Sequence, residues 1–142
     1  MTTTYATPYN GMASQPFQLP TAEQGHGAKR LMKRCLITMA SQASGDTIKL
    51  GTYPKGCIPC GGEITVDTST SSSTVAIGIS GTTAKYKAAA AVTTTDVPQR
   101  FGKAAALVGA PLAAEEEVLL TLGSAALPSS GLMVVDLFYT QP

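Results

Sequence analysis

The chain has 142 residues, 44% of them hydrophobic and 13% charged, with one His, no Trp and a net charge of +1 at pH 7. That length supports a single core burying about 68–70% of the unfolded chain's surface. A charge so close to zero argues against a dedicated nucleic-acid binder, whose domain is strongly basic, and no apolar run approaches the roughly 18 residues of a membrane span.

Residues 1–28 differ from the rest. Pro8, Asn10, Gly11, Pro16, Pro20, Gly25 and Gly27 punctuate the segment every few positions, so neither a helix nor a long strand can propagate. The expectation is an extended, irregular arm ahead of a domain at 29–142. Fixing each backbone residue of such an arm costs roughly 1–2 kcal/mol, so its anchors must make extensive contacts. Tyr5, Tyr9, Met12, Phe17 and Leu19 are the apolar residues available, and a neighbouring molecule is the expected surface; folding back across its own domain is the alternative. The start, Met1-Thr2-Thr3-Thr4-Tyr5, has no basic stretch followed by an apolar one as in a secretory signal, so synthesis in the cytoplasm is expected.

Next, Lys29-Arg30-Leu31-Met32-Lys33-Arg34-Cys35-Leu36-Ile37-Thr38-Met39-Ala40 fits a helical stripe through Leu31, Met32, Cys35, Leu36 and Met39, and also alternates through Leu31, Lys33, Cys35 and Ile37. Period alone does not decide between them. A strand at Arg34–Met39 is the reading adopted. Lys29, Arg30, Lys33 and Arg34 could meet an acidic protein surface or nucleic acid, or simply be solvated at the start of that strand.

The strands that follow are expected at Thr47–Tyr53, Glu63–Thr68, Thr74–Ser80, Tyr86–Val92, Val97–Phe101, Val118–Gly123 and Leu132–Thr140. Period-2 alternation places Val75, Ile77 and Ile79 on one face, and Val118, Leu120 and Leu122 on another. Turn compositions separate them at Pro54-Lys55-Gly56, 69–73, Gly81-Thr82-Thr83, Gly109-Ala110-Pro111 and Pro128-Ser129-Ser130-Gly131. The alanine run Ala88–Ala91 favours helix, but Thr93, Thr94 and Thr95 follow at once and it is read as extended. Leu132–Tyr139 is apolar on both faces except at Asp136, which makes it a central strand. About eight strands so spaced define an all-β chain, a single antiparallel β-sandwich of jelly-roll type.

Chemistry-bearing motifs are few. Cys57-Ile58-Pro59-Cys60 has a spacing that can ligate zinc or form a redox dithiol. Zinc needs four ligands and only Cys35 and His26 are left to offer them. A redox pair needs a helix N-terminus, whereas Gly61-Gly62-Glu63-Ile64-Thr65-Val66 reads as turn then strand. Structural, reduced thiols are expected. His26 has no partner at triad spacing. Glu115-Glu116-Glu117 cannot all point one way on a strand and reads as a solvated loop. Gly78-Ile79-Ser80-Gly81 lacks the helix and Lys-Ser/Thr pair of a phosphate loop. No catalytic residue, metal or cofactor is assigned, and an enzyme is not expected.

The charges are unevenly spread. Residues 1–103 hold all ten bases and five acids, whereas 104–142 hold Glu115, Glu116, Glu117 and Asp136 and no base. That polarity of +5 against −4 would suit head-to-tail contact between like subunits or docking on a charged partner.

A resemblance joins these readings. Asp46-Thr47-Ile48-Lys49-Leu50-Gly51-Thr52-Tyr53-Pro54-Lys55-Gly56, then Ile64-Thr65-Val66-Asp67-Thr68, Val75-Ala76-Ile77-Gly78, Ala84-Lys85-Tyr86 and the closing Gly131-Leu132-Met133-Val134-Val135-Asp136-Leu137-Phe138-Tyr139 resemble the cement, or decoration, proteins of tailed-bacteriophage heads. The likeness covers roughly 45–140 and departs at Tyr53, where an apolar residue is usual, and at the inserted Cys57–Cys60. It implies a β-sandwich, often a jelly roll, forming homo-oligomers on the outer face of the capsid and tying neighbouring major capsid subunits together. The expectation is therefore a structural virion protein on the capsid surface, whose partners are the major capsid protein and itself as a dimer or trimer. Its candidate contact residues are Tyr5, Tyr9, Phe17, Leu19, Lys29, Arg30, Lys33 and Arg34. A tail or head-to-tail connector subunit has the same composition. A carbohydrate-binding sandwich would expose aromatics in a groove, which the absence of Trp disfavours.

Overall fold

The structure, a computed structural model, describes residues 30–108 and 110–141. Eight strands run β1 (Arg30–Thr38), β2 (Thr47–Tyr53), β3 (Ile58–Val66), β4 (Thr74–Ile79), β5 (Thr82–Ala90), β6 (Gln99–Phe101), β7 (Glu116–Gly123) and β8 (Leu132–Thr140), with one 3₁₀ turn at Ala104–Ala106. Each expected strand is present. All pairings are antiparallel, in two four-stranded sheets ordered β1-β8-β3-β6 and β2-β7-β4-β5.

The pairs β1–β8, β2–β7, β3–β6 and β4–β5 are nested, as in one long hairpin whose tip is the Ser80-Gly81 turn between β4 and β5. Gly81 has φ +84° there, a conformation that such tight turns need and a side chain resists. Rolling that hairpin sends successive pairs to alternate sheets, and β8 then joins β3 while β7 joins β4. This is the jelly roll that the strand spacing predicts.

The core lies between the sheets. Ile37, Ile64, Val66, Met133, Val135 and Leu137 from one sheet meet Leu50, Tyr53, Val75, Ile77, Tyr86, Val118, Leu120 and Leu122 from the other, all buried. Loops close the ends with Met39, Cys57, Val92 and Leu127. Alternation makes much of this arrangement readable, because most strands, such as β4 with Val75 and Ile77 and β7 with Val118, Leu120 and Leu122, send core residues inward from every second position.

The differences from expectation have local causes. Strand β1 starts at Arg30 and not Arg34, so its bases lie along the strand and are not clustered ahead of it. Strand β3 starts at Ile58, and the register slips between Pro59 and Gly62 in its pairing with β8. The Cys57–Cys60 motif is thus the end of a loop and a bulged strand, because Pro59 cannot donate to the ladder. Gly62 is obligatory at this crowded point: a Cβ there would lie 2.2 Å from the Asp136 carbonyl oxygen and 2.5 Å from Phe101 Cζ. Strand β5 ends at Ala90 and leaves Val92 to a loop, where Thr70 and Val92 exchange backbone and hydroxyl hydrogen bonds. Strand β6 shrinks to Gln99–Phe101, because Asp96, at φ +57°, turns its N–H onto the Val66 carbonyl.

Candidate docking surface

The two outward faces of the sandwich are unlike. On the β2–β7–β4 sheet the outward residues include Thr47, Lys49, Thr121, Ala76 and Gly78, aligned by register and small or polar apart from half-buried Leu119 in the same row, with Lys49 3.5 Å from Glu117. The opposite sheet carries large side chains. Its register sets Met32 beside Phe138, Leu36 beside Val134 and Thr38 beside Leu132. Met32 is 51% exposed and Leu36 67%. These residues form an apolar strip on β1 and β8 that faces solvent in the single chain.

A charged row crosses the strip. Arg34, Asp136, Glu63 and Arg100 lie side by side across β1, β8, β3 and β6. Arg34 Nε and an Nη donate to the two Asp136 carboxylate oxygens at 2.8 and 3.0 Å. This fork explains how the carboxylate of Asp136, 7% exposed, is tolerated in a central strand: the charge is paired and bidentately bonded. The same bond holds the Arg34 guanidinium pKa above its ordinary value.

The other expected contact residues divide. The Arg30 guanidinium sits over the Phe138 ring, 4.2 Å from its centroid, on the same outward face. Lys33 points inward, donates to the Thr52 carbonyl of β2 and sits 5.6 Å from the Tyr139 ring centroid. It closes the corner between the sheets and presents no charge to a partner. Cys35 does the same against the Leu50 carbonyl, and burial pushes its thiol pKa up. Tyr5, Tyr9, Phe17, Leu19 and Lys29, with the whole arm at 1–28, lie outside the described residues.

The expected charge polarity is largely consumed within the chain. Asp136 pairs with Arg34, Glu117 with Lys49 and Glu116 with Lys85, so three of the four acids of 104–142 meet bases of 30–103. Glu116 is also not solvated, as its place in the Glu115–Glu117 run suggested. It accepts from Lys85 and, at 2.5 Å, from the Tyr86 hydroxyl. The Tyr86 ring in turn meets Tyr53 edge-on, with centroids 5.6 Å apart, and Tyr53 meets Tyr139 at 5.8 Å. The Tyr53 hydroxyl is buried and has no hydrogen-bond partner among the described residues. Cys57 is fully buried beside this cluster, and burial, with Glu116 adding to it, raises its thiol pKa. That is the opposite of a redox cysteine's environment. Among the described residues no group of three or more His, Cys, Asp or Glu could hold a metal ion.

Sequence reasoning missed the exposed apolar strip. Residues 30–38 place a base and apolar residues on each face, so alternation alone did not say which face is outward. The register with β8 decides it, and Asp136 opposite Arg34 was the available signal.

No protein-family model matches the sequence, and no curated protein does. Among the solved structures that share the fold, three are chains of phage capsids. The first is a chain of the cyanophage Pam1 capsid asymmetric unit: TM-score 0.66, 17% identity, 91% of this chain and 96% of that one. A chain of the capsid of Ralstonia phage GP4 gives 0.61, 20% identity, and 90% and 94% coverage. A chain of the acidic stable capsid of Helicobacter pylori bacteriophage KHP30 gives 0.56, 13% identity, and 80% and 88%. At these identities the likeness is one of fold.

Proposed function

We propose that this chain is a structural virion protein that binds the outside of a bacteriophage capsid and cements neighbouring major capsid subunits. The observation that carries this reading is the reciprocal coverage: nearly all of this jelly roll superposes on nearly all of a chain of similar length in a phage capsid. A match that covers 91% of this chain and 96% of that one supports a shell component built around this fold. The unequal faces support it, since an apolar strip interleaved with Arg30 and Arg34 suits attachment through one side. On this reading the protein is made in the host cytoplasm, resides on the capsid surface, and contacts the major capsid protein and further copies of itself as a dimer or trimer.

The mechanism is linkage, with no turnover. A protein that binds the assembled shell and not its dissociated subunits stabilises assembly by its binding free energy. Repetition over a lattice multiplies the effect even where each contact is modest. The test uses heads of the encoding phage purified without this protein. Adding it back should fill defined surface sites and raise the temperature at which heads rupture. Failure to attach, or attachment only to tails, overturns the reading.

A further inference from the structure

A two-sheet sandwich has four edge strands, and here three are blunted. Strand β6 has only three residues. Strand β5 is broken by two register shifts against β4. Strand β2 is bulged between Lys49 and Gly51, and its Leu50 and Thr52 carbonyls are taken by Cys35 and Lys33. Strand β1 runs nine residues in unbroken register with β8. Its outer edge is the long, regular one that proteins ordinarily protect.

The ladder tells which backbone groups are free. Met39 N–H donates to the Gly131 carbonyl, 2.8 Å, extending the β1–β8 register by one rung. Because antiparallel rungs alternate, Leu31, Lys33, Cys35 and Ile37 aim their backbone groups at β8. Arg30, Met32, Arg34, Leu36 and Thr38 aim theirs outward. At one end that outward row is already answered: the Gln42 side chain accepts from Ala40 N–H at 2.8 Å and donates to the Thr38 carbonyl at 2.9 Å. The amide acts as the first rung of an absent strand. The rungs at Met32, Arg34 and Leu36 have no partner among the described residues.

We propose that the β1 edge is a strand-addition site that receives an extended acidic and apolar segment of a neighbouring shell protein. This deepens the cement reading and rests on it. The chemistry of the segment follows from the face it must match, which reads Arg30, Met32, Arg34, Leu36. Cross-strand neighbours on that face lie close enough to pair, so the segment carries carboxylates opposite the arginines and apolar side chains opposite Met32 and Leu36. Charge selects against a second copy of β1: two such strands would bring Arg30 and Arg34 of each to one junction, with only Asp136 of each to offset them. Main-chain bonds supply attachment and alternate side chains supply selectivity.

The test is hydrogen exchange at the Met32, Arg34 and Leu36 amides, on free protein and on protein bound to purified heads, together with the variants Leu36→Pro and Arg30→Glu. Residue 36 has its N–H outward, so proline removes an outward donor without taking a bond from β8. Expected are fast exchange when free, protection on heads, and occupancy reduced roughly tenfold by Leu36→Pro with its melting temperature little changed. Arg30→Glu should also lower occupancy. Full occupancy with the three amides still exchanging overturns the edge site and leaves the cement reading standing. No attachment of the unaltered protein overturns both. Protection in the dilute free protein would assign the edge to the chain's own residues 1–28, and protection that grows with concentration would assign it to a second copy; either overturns the inference.

Discussion

Tyr53 and Tyr86 stack edge-on in one aromatic cluster, yet removing their hydroxyls should move stability in opposite directions. Both rings are buried, so Tyr→Phe keeps the packing and isolates the hydroxyl. The Tyr53 hydroxyl is buried without a partner among the described residues, and such a group carries a desolvation cost of about 1–3 kcal/mol. Phenylalanine removes the cost, so Tyr53→Phe should stabilise by about 1 kcal/mol, raising Tm by roughly 3–5 °C in a domain of this size. The Tyr86 hydroxyl donates to the Glu116 carboxylate at 2.5 Å. A bond to a charged group is worth about 1.5–3 kcal/mol, and Tyr86→Phe should lose that much. Urea melts of the two variants beside the parent read both values. A Tyr53→Phe loss comparable with that of Tyr86→Phe would refute the reasoning and place an ordered water on the Tyr53 hydroxyl.

The same pair predicts an alkaline limb. Burial raises both phenol pKa values above the ordinary 10.0, so stability is full below about pH 10 and falls above it as the unfolded chain ionises first. The fall should be about 1.4 kcal/mol per pH unit for each ring, and Tyr86→Phe should remove one ring's share of the slope in urea midpoints. At the cysteines, Cys57→Ser should destabilise by roughly 1–3 kcal/mol, because a hydroxyl would enter the core at a fully buried position, whereas half-buried Cys60 should tolerate the change. Stoichiometric zinc in the parent protein, lost in both variants, would contradict structural thiols. Deleting residues 1–28 keeps every core strand and should leave Tm within a few degrees, while occupancy on heads collapses; burying each of Tyr5, Tyr9 and Phe17 contributes roughly 1.5–3 kcal/mol. Full occupancy would refute the arm as a strap, and a melted domain would show that it belongs to the fold.

Most of the sandwich was legible because one physical rule governs it: a strand buried on one face alternates. Val75, Ile77, Val118, Leu120 and Leu122 were placed in the core on that ground and are buried there. The central position of β8 followed from its double-sided apolarity, and the structure sets it between β1 and β3. Legibility ended where a partner strand decides. The same residues in β1 offer either face to the core, and only β8 fixes Met32 and Leu36 outward. The bulge at Pro59 and Gly62 depends on the approach of Phe101 and Asp136, neither of which is near in sequence. The ion pairs of Glu116, Glu117 and Asp136 likewise join residues far apart along the chain, so a net charge per segment misjudged the surface.

On the proposed reading, β1 meets a conflict that a cement protein must resolve. It must carry an adhesive surface when free at high concentration in the cell, and the same surface must stay unpaired until a shell presents its partner. An apolar edge alone fails the first requirement, because identical open strands pair with one another. Interleaving Met32 and Leu36 with Arg30 and Arg34 changes the balance. Cations opposite cations oppose self-pairing, and the same cations favour a segment bearing carboxylates, so a single set of charges acts with opposite sign on the wrong and the right occupant. The repulsion is moderated within each chain by Asp136, which fixes the Arg34 guanidinium by a bidentate bond between the Met32 and Leu36 rows. On this account the Arg34–Asp136 fork, exposed on its arginine side, matters less for the stability of the fold than for setting the geometry in which β1 would meet its partner.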